Sequence, residues 1–219
     1  MVKPLHFTVT DGQFHIDDYP DAVALKRIDT PIARQLQAMT LHQFDLSFCH
    51  EALAEIARLD RAKNVLIVEG MWVSVIARYF KCFGSNESRS QLSAKKILKS
   101  HPGAEAVFSY FQDLRDKHII HDENPFTQAF TGVAVNGAEA PYKVADIISL
   151  AFNAFTVDDA HLVQLTQLVG VTLAWVNEKR DELHNILGRE YEQWSHQDLL
   201  ALPDIQFTAP SADVVGVKR

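Results

Sequence analysis

The chain has 219 residues, 47% of them hydrophobic and 22% charged, with a formal charge of -7 at pH 7. That apolar content suffices for a packed core, which excludes a disordered chain, and the acidic balance excludes a cation-coated surface, so no DNA partner is expected. No apolar run approaches the ~20 residues that a membrane-spanning helix needs, so no membrane association is expected either.

In chain order, His6–Thr10 and Gln13–Ile16 flank Asp11-Gly12, the pattern of a tight hairpin, and residues 1–30 read as this hairpin plus a connector. Thr30 before Pro31 marks a helix start, and apolar residues from Leu36 to Leu59 recur at helical spacing. A second helix is predicted over 62–83, stopped by Gly84-Ser85-Asn86; it is apolar on several sides, which suits a central position. A short helix follows over 90–98, and His101-Pro102-Gly103 separates it from another. There Ala104, Val107, Phe108, Phe111, Leu114 and His118 form one stripe, and Pro125 closes the element.

Residues 130–135, Asn136-Gly137 and the stretch from Tyr142 read as a second hairpin, inserted at about 126–152. Val144, Ile147, Ile148, Ala151, Phe152 and Phe155 fit a helix as well, so strand and helix both stand for 142–155. Asp158 opens the last long helix, which continues through Gly188, and Ser195 caps a final turn to Leu202. Residues 203–219 read as a flexible tail. Cys49 and Cys82 are too few for a disulfide framework and read as buried, reduced thiols. With a start that carries no signal-peptide pattern, they point to a cytoplasmic protein.

The chemistry concentrates in Arg115-Asp116-Lys117-His118-Ile119-Ile120-His121-Asp122-Glu123-Asn124. A fixed guanidinium charge and two imidazoles in seven residues can bind a phosphodiester and move protons near neutral pH. Upstream, Arg78, Lys81, Arg89, Lys95, Lys96 and Lys99 stand against one acid, Glu87. This run is either a phosphate-attracting patch or a solvated helix surface. From it and from Lys117 the candidate phosphate-binding residues are Lys81, Arg89, Lys95 and Lys117.

Arg115 and His121, with five residues between them and Asp116 beside the arginine, resemble the HEPN superfamily. The run Leu114-Arg-Asp-Lys-His-Ile-Ile-His-Asp is similar to its abortive-infection-like branch, and Lys81–Gly84 and Ser88–Leu92 resemble segments of uncharacterised bacterial relatives. The resemblance spans residues 31–190. It implies a mainly α fold, a bundle of long antiparallel helices over 31–202, to which the one or two small β-hairpins read above are added. It also implies a homodimer whose two Arg/His pairs meet at a cleft, and metal-independent endoribonuclease activity. No cofactor or metal is called for; RNA is the substrate and an antitoxin protein a possible partner, in toxin–antitoxin or phage-defence systems. Other members bind nucleotides or RNA without cutting.

In that chemistry His121 is the general acid or base, Arg115 holds the non-bridging phosphate oxygens, Asp116 orients the arginine or an imidazole, and His118 is a second proton carrier. One geometric condition applies. Six steps of ~100° on a regular helix place Arg115 and His121 about 120° apart, so the helix must unwind near Ile119 or a two-fold axis must complete the site. Arg115, His118 and Asp122 share a face by contrast. The structural alternatives are an ion-pair cluster at a helix end for Arg115 and a core or interface role for His118. A metal site at His118, His121, Asp122 and Glu123 lacks a second ligand cluster at recognisable spacing.

Overall fold

The computed structural model describes residues 7–10, 13–16, 19, 21–86, 89–121, 123–206, 211–212 and 215–217. It is mainly α. The elements are β1 (Phe7–Thr10), β2 (Gln13–Ile16), α1 (Pro31–Arg58), α2 (Val65–Lys81), α3 (Ala94–Leu98), α4 (Ala104–Leu114), a π-helical turn (Arg115–Ile120), β3 (Thr127–Val135), β4 (Val144–Asn153), α5 (Asp159–Tyr191) and α6 (His196–Ala201). The chain divides into two units: residues 1–41, 85–90 and 176–219 in the first, 42–84 and 91–175 in the second.

Helices α1, α3, α5 and α6 start where a side chain satisfies a free N–H group. The Thr30 hydroxyl accepts from the Ala33 amide at 3.1 Å ahead of Pro31. Ser93 accepts from Lys96 and Ser195 from Asp198, and the Asp158 carboxylate accepts from His161 at 2.8 Å. The second helix starts three residues later than the sequence suggests. Asp60 explains the delay: its carbonyl accepts from the Lys63 and Asn64 amides, both at 3.1 Å, and from the Asn64 side chain at 2.8 Å, which spends 60–64 in a turn. Gly103 turns the chain into α4 with φ of 81°, a conformation that strains other residues.

In the second unit α2 is central. It buries Val68, Trp72, Val75, Ile76, Tyr79 and Phe80. Trp72 meets Phe111 of α4 edge-on at 5.8 Å, Phe80 meets Phe108 at 5.0 Å, and the Tyr79 hydroxyl lies 3.1 Å from that of Thr172 on α5. Cys49 of α1 donates to the Val75 carbonyl at 3.5 Å. Both cysteines are free and buried. Three helices therefore pack around α2, the outcome that its all-round apolar pattern requires.

The stretch 144–153 is a strand. It pairs antiparallel with β3 from Thr127↔Asn153 to Val135↔Val144, with an irregularity at Ala134/Val135. The Ala154 amide donates to the Phe126 carbonyl at 2.7 Å and closes the base. β1 and β2 pair in register, Phe7↔Ile16 to Thr10↔Gln13, and their expected Asp11-Gly12 turn lies outside the described residues.

In the first unit, Leu183 and Leu187 of α5 and Ala33, Ala38 and Met39 of α1 are buried. At Pro203, where the sequence suggests that a tail begins, the chain pairs with 25–27. The Arg27 amide donates to the Pro203 carbonyl at 2.7 Å, and Lys26 pairs with Asp204 at 2.8 Å.

Candidate functional site

α4 leads directly into the π-helical turn, which holds Arg115, Asp116, Lys117 and His118. A π-helical turn adds one residue per turn and recurs at functional sites. The β-branched pair Ile119-Ile120 weakens the α-helical alternative. The turn closes when the Glu123 amide donates to the Lys117 carbonyl at 2.9 Å. His121 leaves it in extended conformation, φ -131° and ψ 143°. The regular α-helix thus ends between Leu114 and His121.

Arg115 is half-buried. Its guanidinium is engaged by the neighbouring Asp116 carboxylate, Nε at 2.6 Å and an Nη at 2.5 Å, and lies 5.1 Å from the centre of the Phe80 ring. Lys117 pairs with Asp113 one turn back, at 3.0 Å. His118 packs edge-on against Phe126 at 5.4 Å, and its Nδ1 is buried with no hydrogen-bond partner. Such an atom is rare in a folded protein. His121 is exposed and has no hydrogen-bond, ion-pair or ring partner among the described residues. Asp122, expected to share a face with Arg115 and His118, lies outside them. Arg115 and Asp116 are therefore brought together, whereas His118 and His121 diverge, one into the fold and one to solvent.

The basic run is dispersed. Arg78 stacks over the Phe48 ring at 3.8 Å, and Lys81 pairs with the buried Asp45 at 3.3 Å. Arg89 is buried, in the first unit. Lys96 points at the Trp175 ring, 5.7 Å from its centre, while Lys95 and Lys99 are exposed. Of the candidate phosphate ligands, Arg89 is buried, Lys81 and Lys117 are exposed but ion-paired, to Asp45 and Asp113, and Lys95 faces solvent. Among the described residues no three His, Cys, Asp or Glu side chains form a group that could hold a metal. None of their helices is long and apolar enough to cross a membrane.

A second constellation was invisible as a site in the sequence. His161 Nδ1 lies 2.7 Å from the Asp158 carboxylate, and its ring stacks on Tyr110 at 4.6 Å, 9° from parallel. Hydrogen bonds from the His161 backbone and ring hold the Asp158 carboxyl below its usual range. Burial, then the Asp158 charge, pushes the Tyr110 hydroxyl up. The Asp-x-x-His spacing was legible, but only as a helix start; Tyr110 comes from 48 positions earlier in the chain and only the fold supplies it. The Glu69 carboxylate, in the apolar helix, accepts from Asn153 of β4 at 3.4 Å.

Comparison with protein-family models, with curated proteins and with solved structures finds no match.

Proposed function

We propose that the chain is a metal-independent endoribonuclease of HEPN type, acting as a homodimer in a toxin–antitoxin or phage-defence setting. The observation that supports this reading is the π-helical turn. It breaks the helical register between Arg115 and His121 and delivers His121 to solvent without a partner among the described residues. In this reading His121 takes the proton from the RNA 2′-hydroxyl or gives one to the leaving 5′-oxygen. The 2′-oxygen forms its bond to phosphorus as the bond to the 5′-oxygen breaks, leaving a 2′,3′-cyclic phosphate and a 5′-hydroxyl. Arg115 balances the charge on the non-bridging oxygens, with Asp116 fixing its plane. His118, buried at Nδ1, is the second proton carrier, and Lys95 and Lys117 attract the backbone.

A second reading is favoured by the Arg115–Asp116 pair itself. A guanidinium already neutralised by a carboxylate has less charge to offer a phosphate, which suits a non-catalytic HEPN-like dimer that binds a nucleotide, RNA or a protein partner. Induced expression in a bacterial host separates the two. The nuclease reading expects growth arrest that His121→Ala relieves at equal protein level. Arrest that persists with a folded His121→Ala protein removes His121 from the chemistry and favours the binder.

A further inference from the structure

Within the first unit a groove of about 870 Å³ opens beside α1, a size inside the range of roughly 300–1,000 Å³ typical of small-molecule sites. One wall is a face of α1, where Ala33, Leu36 and Thr40 follow at steps of three and four residues. A second wall is Ile28 and Ile205. They are brought together because 203–205 pairs with 25–27, and the Ile205 amide donates to the Leu25 carbonyl at 3.4 Å. Ala33 and Leu187 are buried and form the floor, while Ile28, Leu36 and Ile205 are half-buried along the sides. The Thr40 hydroxyl is spent on the Leu36 carbonyl at 2.9 Å, so this residue offers the groove its methyl group.

The charge that lines this groove is of one sign. Lys26 and Arg27 border it, and among the described residues no carboxylate does. The acids nearby are already engaged. Asp204 takes Lys26 at 2.8 Å and Asp29 takes Arg34 at 2.9 Å, which leaves Asp29 only a 3.9 Å contact with Arg27. Three cations against two acids leave one positive charge over, on Arg27, whose side chain is 62% exposed. We propose that the groove binds an aliphatic carboxylate, a small amphiphile that lays its hydrocarbon chain along Ile28, Leu36, Leu187 and Ile205 and its head on the Arg27 guanidinium. The two oxygens of a carboxylate fit the planar guanidinium fork, and the apolar walls take the chain out of water. A single surplus charge suits a monoanion and not a polyphosphate. Among the described residues no aromatic ring lines the groove for a nucleobase to stack on, so the inference stands apart from the ribonuclease reading.

Isothermal titration of the full chain with decanoate, beside decyltrimethylammonium and butyrate, tests it. Decanoate is expected to bind one to one, decyltrimethylammonium about tenfold more weakly and butyrate not measurably, because the site needs both head and tail. Arg27→Ala is expected to weaken decanoate about tenfold and to erase its advantage over the cationic probe, while Arg27→Lys keeps part of that advantage. Leu36→Glu puts a like charge into the apolar wall with a residue that suits a helix, and is expected to abolish decanoate binding. Arg27 is exposed and outside every helix, so its variants keep the test decisive if Leu36→Glu misfolds. Lys99→Ala, an exposed cation in the second unit, is expected to change nothing. Folded wild type that takes up no decanoate overturns the proposal. Equal binding of the two decyl probes overturns it as well, and so does a decanoate affinity unchanged in Arg27→Ala.

Discussion

α2 and the β3–β4 hairpin are both rich in large apolar side chains, yet one is the centre of its unit and the other buries none of its own. The difference lies in geometry more than composition. A helix sends side chains to every side, and α2 meets α1, α4 and α5 with them. A two-stranded ribbon has two flat faces and no third strand, so its apolar residues stay exposed. Apolar content therefore stabilises the fold in one region and lies exposed in the other.

The sharpest way to break this comparison is truncation in each region. Trp72→Ala or Phe80→Ala is expected to cost about 3–5 kcal/mol in denaturant unfolding, because each leaves a cavity among buried rings. Phe130→Ala, measured at a dilution that dissociates any dimer, is expected to stay within ~0.5 kcal/mol of wild type. Comparable losses in the two would erase the distinction. Next in size is Tyr79→Phe, which removes the buried hydroxyl contact with Thr172 and is expected to cost about 1 kcal/mol.

Alkaline pH probes the same buried core. Burial, with the nearby Cys82 and Asp45 adding to it, pushes the Cys49 thiol from 9.0 up to about 12, and burial raises the Tyr79 hydroxyl as well. Both groups stay protonated in the fold at pH values where the unfolded chain ionises. Stability is thus fully present below about pH 9 and lost as pH rises through the folded values. Melting temperatures from pH 8 to 11 are expected to fall, and Cys49→Ala to flatten the first part of that fall. An equal slope in Cys49→Ala would mean that the thiol is not buried. The smallest effect belongs to Asp158, at the junction between hairpin and α5. Its carboxyl is held down, so its contribution is present above the ordinary carboxylate range and lost as pH falls through the lowered value. Asp158→Ala is expected to lower the melting point slightly at neutral pH and to leave it unchanged in strong acid.

Much of the helical order was legible because local chemistry writes it. Thr30-Pro31, Asp158 and Ser195 each mark a helix start, and the apolar spacing of α1 and α5 carries over many turns. The stretch 144–155 was ambiguous because Val144, Ile147, Ile148, Ala151 and Phe152 suit a helical stripe as well as a ribbon. Pairing with β3, a partner distant in sequence, decides it. At the candidate site, angular spacing called for a break in the helix before His121, and the regular α-helix ends at Leu114. What spacing does not carry is which charges a fold uses up. Lys81 and Arg89 count as free cations in a list of residues, but Asp45 sits against one and the fold encloses the other.

The most direct measurement is cleavage of mixed cellular RNA by the purified protein in EDTA, beside Arg115→Ala and His121→Ala. The account predicts chelator-resistant cutting by the wild type that leaves 2′,3′-cyclic phosphate ends, and a loss of at least a hundredfold in either variant. Folded wild-type protein that leaves the RNA intact, or cleavage undiminished in His121→Ala, would contradict it.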